Sequence, residues 1–107
     1  MPTYMAQATF TAEAWKRFTE APHDRGQMVA TQLEKLGCRL LSFHFSFGET
    51  DTVTIFEAPD DTTAAAASLS FTSAGHLKGL KTTKLMTVKE AMEAARKAGQ
   101  APFKPMG

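Results

Sequence analysis

Little in this chain points to chemistry. A single cysteine, Cys38, leaves no disulfide to be formed within the chain. Trp15 and Tyr4 are the only residues of their kinds, whereas phenylalanine occurs eight times. Charge of one sign is missing too: 12 Lys and Arg face 11 Asp and Glu, for a formal net charge of +1. No basic block suggests nucleic acid, and no acidic tail is present. The apolar runs fall far short of the roughly 20 residues of a membrane span. The opening Met1-Pro2-Thr3-Tyr4 has neither the basic patch nor the apolar segment of a signal peptide. A cytoplasmic protein is the expectation, with neither nucleic acid nor membrane as a partner.

Motifs are equally scarce. There is no phosphate loop, dinucleotide fingerprint, metalloprotease helix or serine-nucleophile elbow. No cofactor is expected. What the chain does have is 107 residues, 43% of them hydrophobic, which suits one small domain. A domain of this size buries more surface by pairing with a second copy.

The clearest pattern lies at residues 39–60. Residues 39–47 alternate, with Leu41, Phe43, Phe45 and Phe47 on one face and Ser42, His44 and Ser46 on the other. Gly48-Glu49-Thr50-Asp51 has turn chemistry. Residues 52–57 are a second β-rich run, which Pro59 stops. Asp60 and Asp61 are placed to cap a helix.

The other elements follow from similar signals. Residues 4–10 form the first strand, with Tyr4, Ala6, Ala8 and Phe10 on one side and Met5, Gln7 and Thr9 on the other. The small residues let a helix come close. Thr11 caps a short helix over 12–20, anchored by Trp15 and Phe18. Ala21-Pro22-His23 interrupts it. Asp24 caps the next helix, 25–36, whose Val29, Leu33 and Leu36 make a core-facing stripe. Gly37 closes that helix. Alanines dominate a helix over 62–74, with Leu69 and Phe71 as its large apolar groups, ended by Gly75. Residues 78–86 read as an edge strand protected by Lys78, Lys81 and Lys84. Thr87-Val88-Lys89-Glu90 is a capping box. The helix behind it carries Val88, Ala91, Met92 and Ala95 on one stripe up to Gly99. Residues 1–99 are expected to form the domain and 100–107 a tail, in which Phe103 is a possible anchor on a neighbour.

The order is β-α-β-β-α-β plus a C-terminal helix. That predicts an α+β, ferredoxin-like domain with an antiparallel sheet in strand order 4-1-3-2 and helices on one face only. The hairpin register stays open. A four-residue turn sets Phe47 against Thr52 and Phe45 against Thr54, and a bulge shifts the pairing by one. In both cases the second sheet face carries apolar groups. A large exposed apolar patch marks an interface or ligand groove, and a symmetric dimer packed face to face covers it.

These residues together resemble the GYD-domain family of small bacterial proteins, whose biochemistry is unassigned. The carriers are Pro2-Thr3-Tyr4-Met5, residues 40–51, Phe56-Glu57-Ala58-Pro59-Asp60 and Lys81-Thr82-Thr83. Gly48 and Asp51 match the naming motif, with Thr50 where a Tyr is usual. The resemblance covers residue 4 to about 99 and implies a fold of the dimeric α/β-barrel type. It brings no catalytic residues with it.

Candidate site residues are few. His44 sits mid-strand between serines and is suited to proton transfer or ligand binding; a hydrogen-bonded histidine at a dimer interface is the plainer account. Gln7 and Ser42 are the groups expected to orient a ligand beside it. His23, His44 and His76 match no metal spacing. Glu49 and Asp51 sit at a hairpin tip, where turn stabilisation explains Asp51. Cys38 has no neighbouring group in the sequence to activate it. The expected function is a small-molecule binding or regulatory module without turnover. The alternatives are a cofactor-independent oxygenase- or isomerase-like enzyme for small aromatic or lactone substrates, with His44 as the catalytic group, and a structural assembly protein.

Overall fold

The computed structural model describes residues 1–106. The chain runs β1 (Thr3–Phe10), α1 (Ala12–Glu20), α2 (Arg25–Lys35), β2 (Arg39–Phe45), β3 (Thr52–Glu57), α3 (Asp61–Ser73), β4 (Leu77–Leu85) and α4 (Val88–Gly99). The sheet has the order β2-β3-β1-β4 with every pair antiparallel. This is the expected ferredoxin-like arrangement.

Each helix starts where a side chain can satisfy its free amides. Thr11 accepts from Ala14 N at 3.1 Å, Asp24 from Gln27 N at 2.9 Å and Asp60 from Thr63 N at 2.8 Å. Thr87 and Glu90 close the capping box reciprocally, both bonds at 3.0 Å. Gly37 and Gly75 follow α2 and α3 with φ of 74° and 85°, a conformation that a side chain resists.

The core lies between the sheet and α2 and α3. Leu33 is 1% exposed and Tyr4 3%, and Val29, Phe56, Ala64 and Ala67 join them. Above the β1–β2 end, α1 lays Trp15 and Phe18 on Phe45, at ring separations of 6.1 and 5.1 Å.

The hairpin differs from the sequence reading in three details. β2 ends at Phe45, which pairs with Thr52, so six residues form the loop and the register is displaced by two, not one. Phe47 stands fully exposed in that loop rather than on the aromatic face. A register irregularity between Leu40 and Ser42 turns Leu40 onto the core and leaves Leu41 exposed. Ser46 holds the loop: its amide bonds Asp51 O at 2.8 Å and its hydroxyl bonds Thr50 O at 2.7 Å.

Among the described residues no helix lies over the opposite face of the sheet. Its rows read His44-Val53-Gln7-Lys81 and Ser42-Ile55-Met5-Thr83 across β2, β3, β1 and β4. α4 also stands apart. All twelve of its residues are exposed, Val88 at 78%. The resulting radius of gyration is 17.3 Å, against about 13 Å for a compact chain of this length.

Candidate functional site

Two alanine-rich surfaces meet inside the domain. Ala6 and Ala8 face inward from β1, and Ala64 and Ala67 face them from α3. Small residues permit close approach, yet here the helices do not close the space. A cavity of about 40 Å³ remains, walled by Val29, Leu33, Phe43, Phe56 and Phe71. Its polar lining includes Thr52 and Thr54 of β3 and Ser68 of α3. Both threonines are buried, because they occupy core-facing positions of a central strand.

The cavity adjoins a broader groove of about 640 Å³ between α1, α2 and the end of α3. Arg25, Val29, Phe71 and His76 line both spaces and so form the threshold between them. Farther out the groove is polar, with Glu13, Arg17 and His23. Glu13 and Arg17 neutralise each other at 2.8 Å on an exposed helix turn. His23 lies edge-on to Phe18 at 5.3 Å, with Nδ1 3.2 Å from Ala21 O.

Phe10 organises the threshold. Its ring carries the Arg25 guanidinium at 4.8 Å, and His76 and Trp15 lie 6.4 and 5.0 Å away. Burial lowers the pKa of Arg25 below its ordinary value. Burial, and then the charge of Arg25, lower that of His76, which favours the neutral imidazole. Asp51 fixes this corner from below: Phe10 N donates to its Oδ2 at 2.8 Å and Trp15 Nε1 at 3.2 Å. Asp51 N also bonds Ala8 O at 2.8 Å. The hairpin tip is thereby tied to the β1–α1 junction, a long-range role that turn chemistry alone does not reveal. Glu49 is exposed beside it.

A second polar cluster closes the far end of the core. Tyr4 OH donates to Asp61 Oδ1 at 2.6 Å, and Lys84 Nζ reaches the same oxygen at 3.1 Å. The bond to Asp61, then burial, push the phenol up to about 12. Asp61 is correspondingly lowered, by Tyr4 first and then by Lys84. A phenol so reluctant to ionise is a lock between β1 and α3, not a base.

The sequence-derived candidates are not in the cavity. Gln7 and His44 flank Val53 on the open sheet face, and Ser42 lies one row away beside Ile55. Register brings the three together there, and none of them lines the space between sheet and helices. Cys38 is buried, and burial first, then Asp60, raise its pKa, so the thiol stays protonated. Among the described residues no three His, Cys, Asp or Glu side chains gather as a metal site. Nor is any helix long and apolar enough to cross a membrane. Of the polar threshold, Arg25 is not among the sequence-derived candidates, and His76 is weighed there only as a metal ligand. The one available signal was a cation at the first helical position behind the cap Asp24, the sign that a helix N-terminus disfavours.

No curated protein matches the sequence. Among solved structures, MtbAldR superposes with a TM-score of 0.60 at 13% identity, over 80% of this chain and 53% of that one. The chain thus spans about half the length of MtbAldR, and the likeness is one of fold. An uncharacterized NIPSNAP domain protein from Burkholderia xenovorans aligns at 18% identity and a TM-score of 0.49, over 82% and 95% of the two chains. The family model of the GYD domain matches residues 4–95, nearly all of the folded region. The chain belongs to the GYD-domain family.

Proposed function

We propose that this GYD domain is a homodimeric small-molecule-binding module whose ligand enters between sheet and helices. The observation that carries the reading is the continuity of the apolar cavity with the polar groove through Arg25 and His76. Binding sites of this kind are concave and mostly apolar, with a few convergent polar groups.

Pairing rests on two unpartnered surfaces. The open sheet face offers Met5, Val53 and Ile55, and α4 offers Val88 and Met92. A second copy would cover both. Gln7, Ser42 and His44 then belong to the interface, hydrogen-bonding across it or framing a small polar recess. Native mass spectrometry of protein purified from its own host tests both halves. A dimer mass carrying a small molecule is the expected result. Lone protomers at high concentration would remove the pairing, and hydrogen exchange unaltered in α2, α3 and β1 by every compound of a metabolite screen would remove the binding.

An enzymatic reading, in which a cofactor-independent reaction occurs in the same cleft, has one observation behind it. His76, rather than His44, is the imidazole at the cavity, and its lowered pKa keeps it in the neutral form that can accept a proton. Recovery of the captured compound unchanged after prolonged incubation would leave binding alone.

A further inference from the structure

Arg25 stands where a cation is unfavourable on three counts. It occupies the first turn of α2, whose dipole disfavours positive charge. It is half-buried at the cavity threshold. It also has no counter-ion: the ion pairs among the described residues are Arg17–Glu13, Arg39–Glu57, Lys84–Asp61 and Arg96–Glu93. The nearby carboxylates are otherwise engaged, Asp24 at Gln27 N and Asp51 at Phe10 N and Trp15 Nε1. The face of Phe10 offsets part of this cost. A neutral side chain could fill the same place without opposing the dipole.

We propose that Arg25 is the anion-recognition group of the cleft and that the ligand is a small carboxylate with a short aliphatic tail. This rests on the reading of the cleft as a binding site. The guanidinium is a planar fork that matches a carboxylate, and a half-desolvated one gains more from it than a hydrated lysine would. His76 beside it adds a donor to the same anion. The tail is limited by space. At ~10–15 Å³ for each water-sized group, the cavity of about 40 Å³ holds roughly three or four linked carbons. An aromatic ring does not fit without displacement of Phe71 or Phe43. The groove outside accommodates any further polar substituent on the ligand.

The test is a titration of isotope-labelled full-length protein with isovalerate and with its neutral isostere isovaleramide, followed by amide and methyl resonances. Isovalerate is expected to shift Val29, Phe71 and His76 and to bind at least about ten-fold more tightly than the amide, as a charge-assisted pair implies. Arg25→Gln should equalise the two compounds. Arg25→Lys should keep a reduced preference for the carboxylate, which leaves the inference measurable if the glutamine variant folds poorly. Equal affinities in the wild type, with the cleft resonances moving, would overturn the role of Arg25 and leave the binding site standing. A preference for isovalerate that survives in Arg25→Gln would overturn it as well. Cleft resonances unmoved by either compound up to its solubility limit would sink the inference together with the reading on which it rests.

Discussion

Replacement of Asp61 should be visible in the ionisation of one phenol. Tyr4 is the only tyrosine, so its alkaline titration is free of overlap from other phenols. An unperturbed phenol ionises near pH 10; in the fold Tyr4 is pushed up to about 12. The main cause is its 2.6 Å bond to Asp61 Oδ1, which an ionised phenol cannot donate and whose charge would repel it. The two-unit shift is large in populations. At pH 11 about nine-tenths of an ordinary phenol is ionised, against about one-tenth of one with a pKa of 12. The linkage has a definite sign. A folded pKa above the unfolded one gives stability that is fully present below pH 10 and is lost as pH rises through 12. Asp61→Asn keeps an acceptor but removes the charge, so the phenol should fall part of the way toward 10. Asp61→Ala should bring it lower still, with burial first and then the charges of Asp60 and Cys38 still holding it above 10. Phenolate absorbance read beside far-ultraviolet circular dichroism measures this on protein that is verifiably folded. A wild-type phenol ionising near 10 in the folded protein would refute the reasoning, as would identical titrations in wild type and Asp61→Ala.

Four further outcomes are expected. Leu33→Ala should cost about 3–5 kcal/mol in urea denaturation, since Leu33 is 1% exposed and lines an existing cavity that cannot collapse easily. Asp51→Ala should cost about 1–3 kcal/mol, because it strips acceptors from Phe10 N and Trp15 Nε1; red-shifted emission of the sole tryptophan reports the loss. His76 has a lowered pKa, so its neutral form is favoured in the fold: stability should decline as pH falls below about 6.5, and His76→Gln should flatten that slope in thermal melts at a series of pH values. Isolated helices of about a dozen residues are marginal in water, so slow hydrogen exchange in α4 would report its cover by a second copy, and Met92→Glu should abolish both that protection and the dimer.

The fold was legible because its signals are local. Caps at Thr11, Asp24, Asp60 and Thr87 lie within three residues of the amides they satisfy, so adjacency alone reveals them. Period-two alternation fixes a strand, and the element order then leaves one economical topology. The hairpin register failed for the same reason. Phe47 fits the alternation as well as Phe45 does, and the bonds that hold the loop beyond Phe45, from Ser46 to Asp51 and Thr50 and from Phe10 and Trp15 to Asp51, form only in the fold. The irregularity at Leu40 lies equally beyond sequence, since two leucines in a row suit either face.

The threshold of the cavity was hidden for a deeper reason. Arg25 and His76 belong to segments fifty residues apart, one at the start of a helix and the other just past the end of one, and nothing local links them. Their meaning arises only when β1 sets Phe10 between them. Along a strand, chemistry-bearing residues recur at fixed spacing, and that spacing is why Gln7, Ser42 and His44 stand out in the sequence. Those residues share one face because alternation places them there, and a face is what a partner subunit needs. A ligand needs concavity, and concavity comes from what is small: Ala6, Ala8 and Ala67 withhold the side chains that would have filled the core. If the proposed cleft binds a ligand, the alanines mark it better than the histidine on the open strand does. The same logic explains why a half-buried arginine can remain unpaired beside it, for a guest with its own negative charge would complete both the packing and the electrostatics.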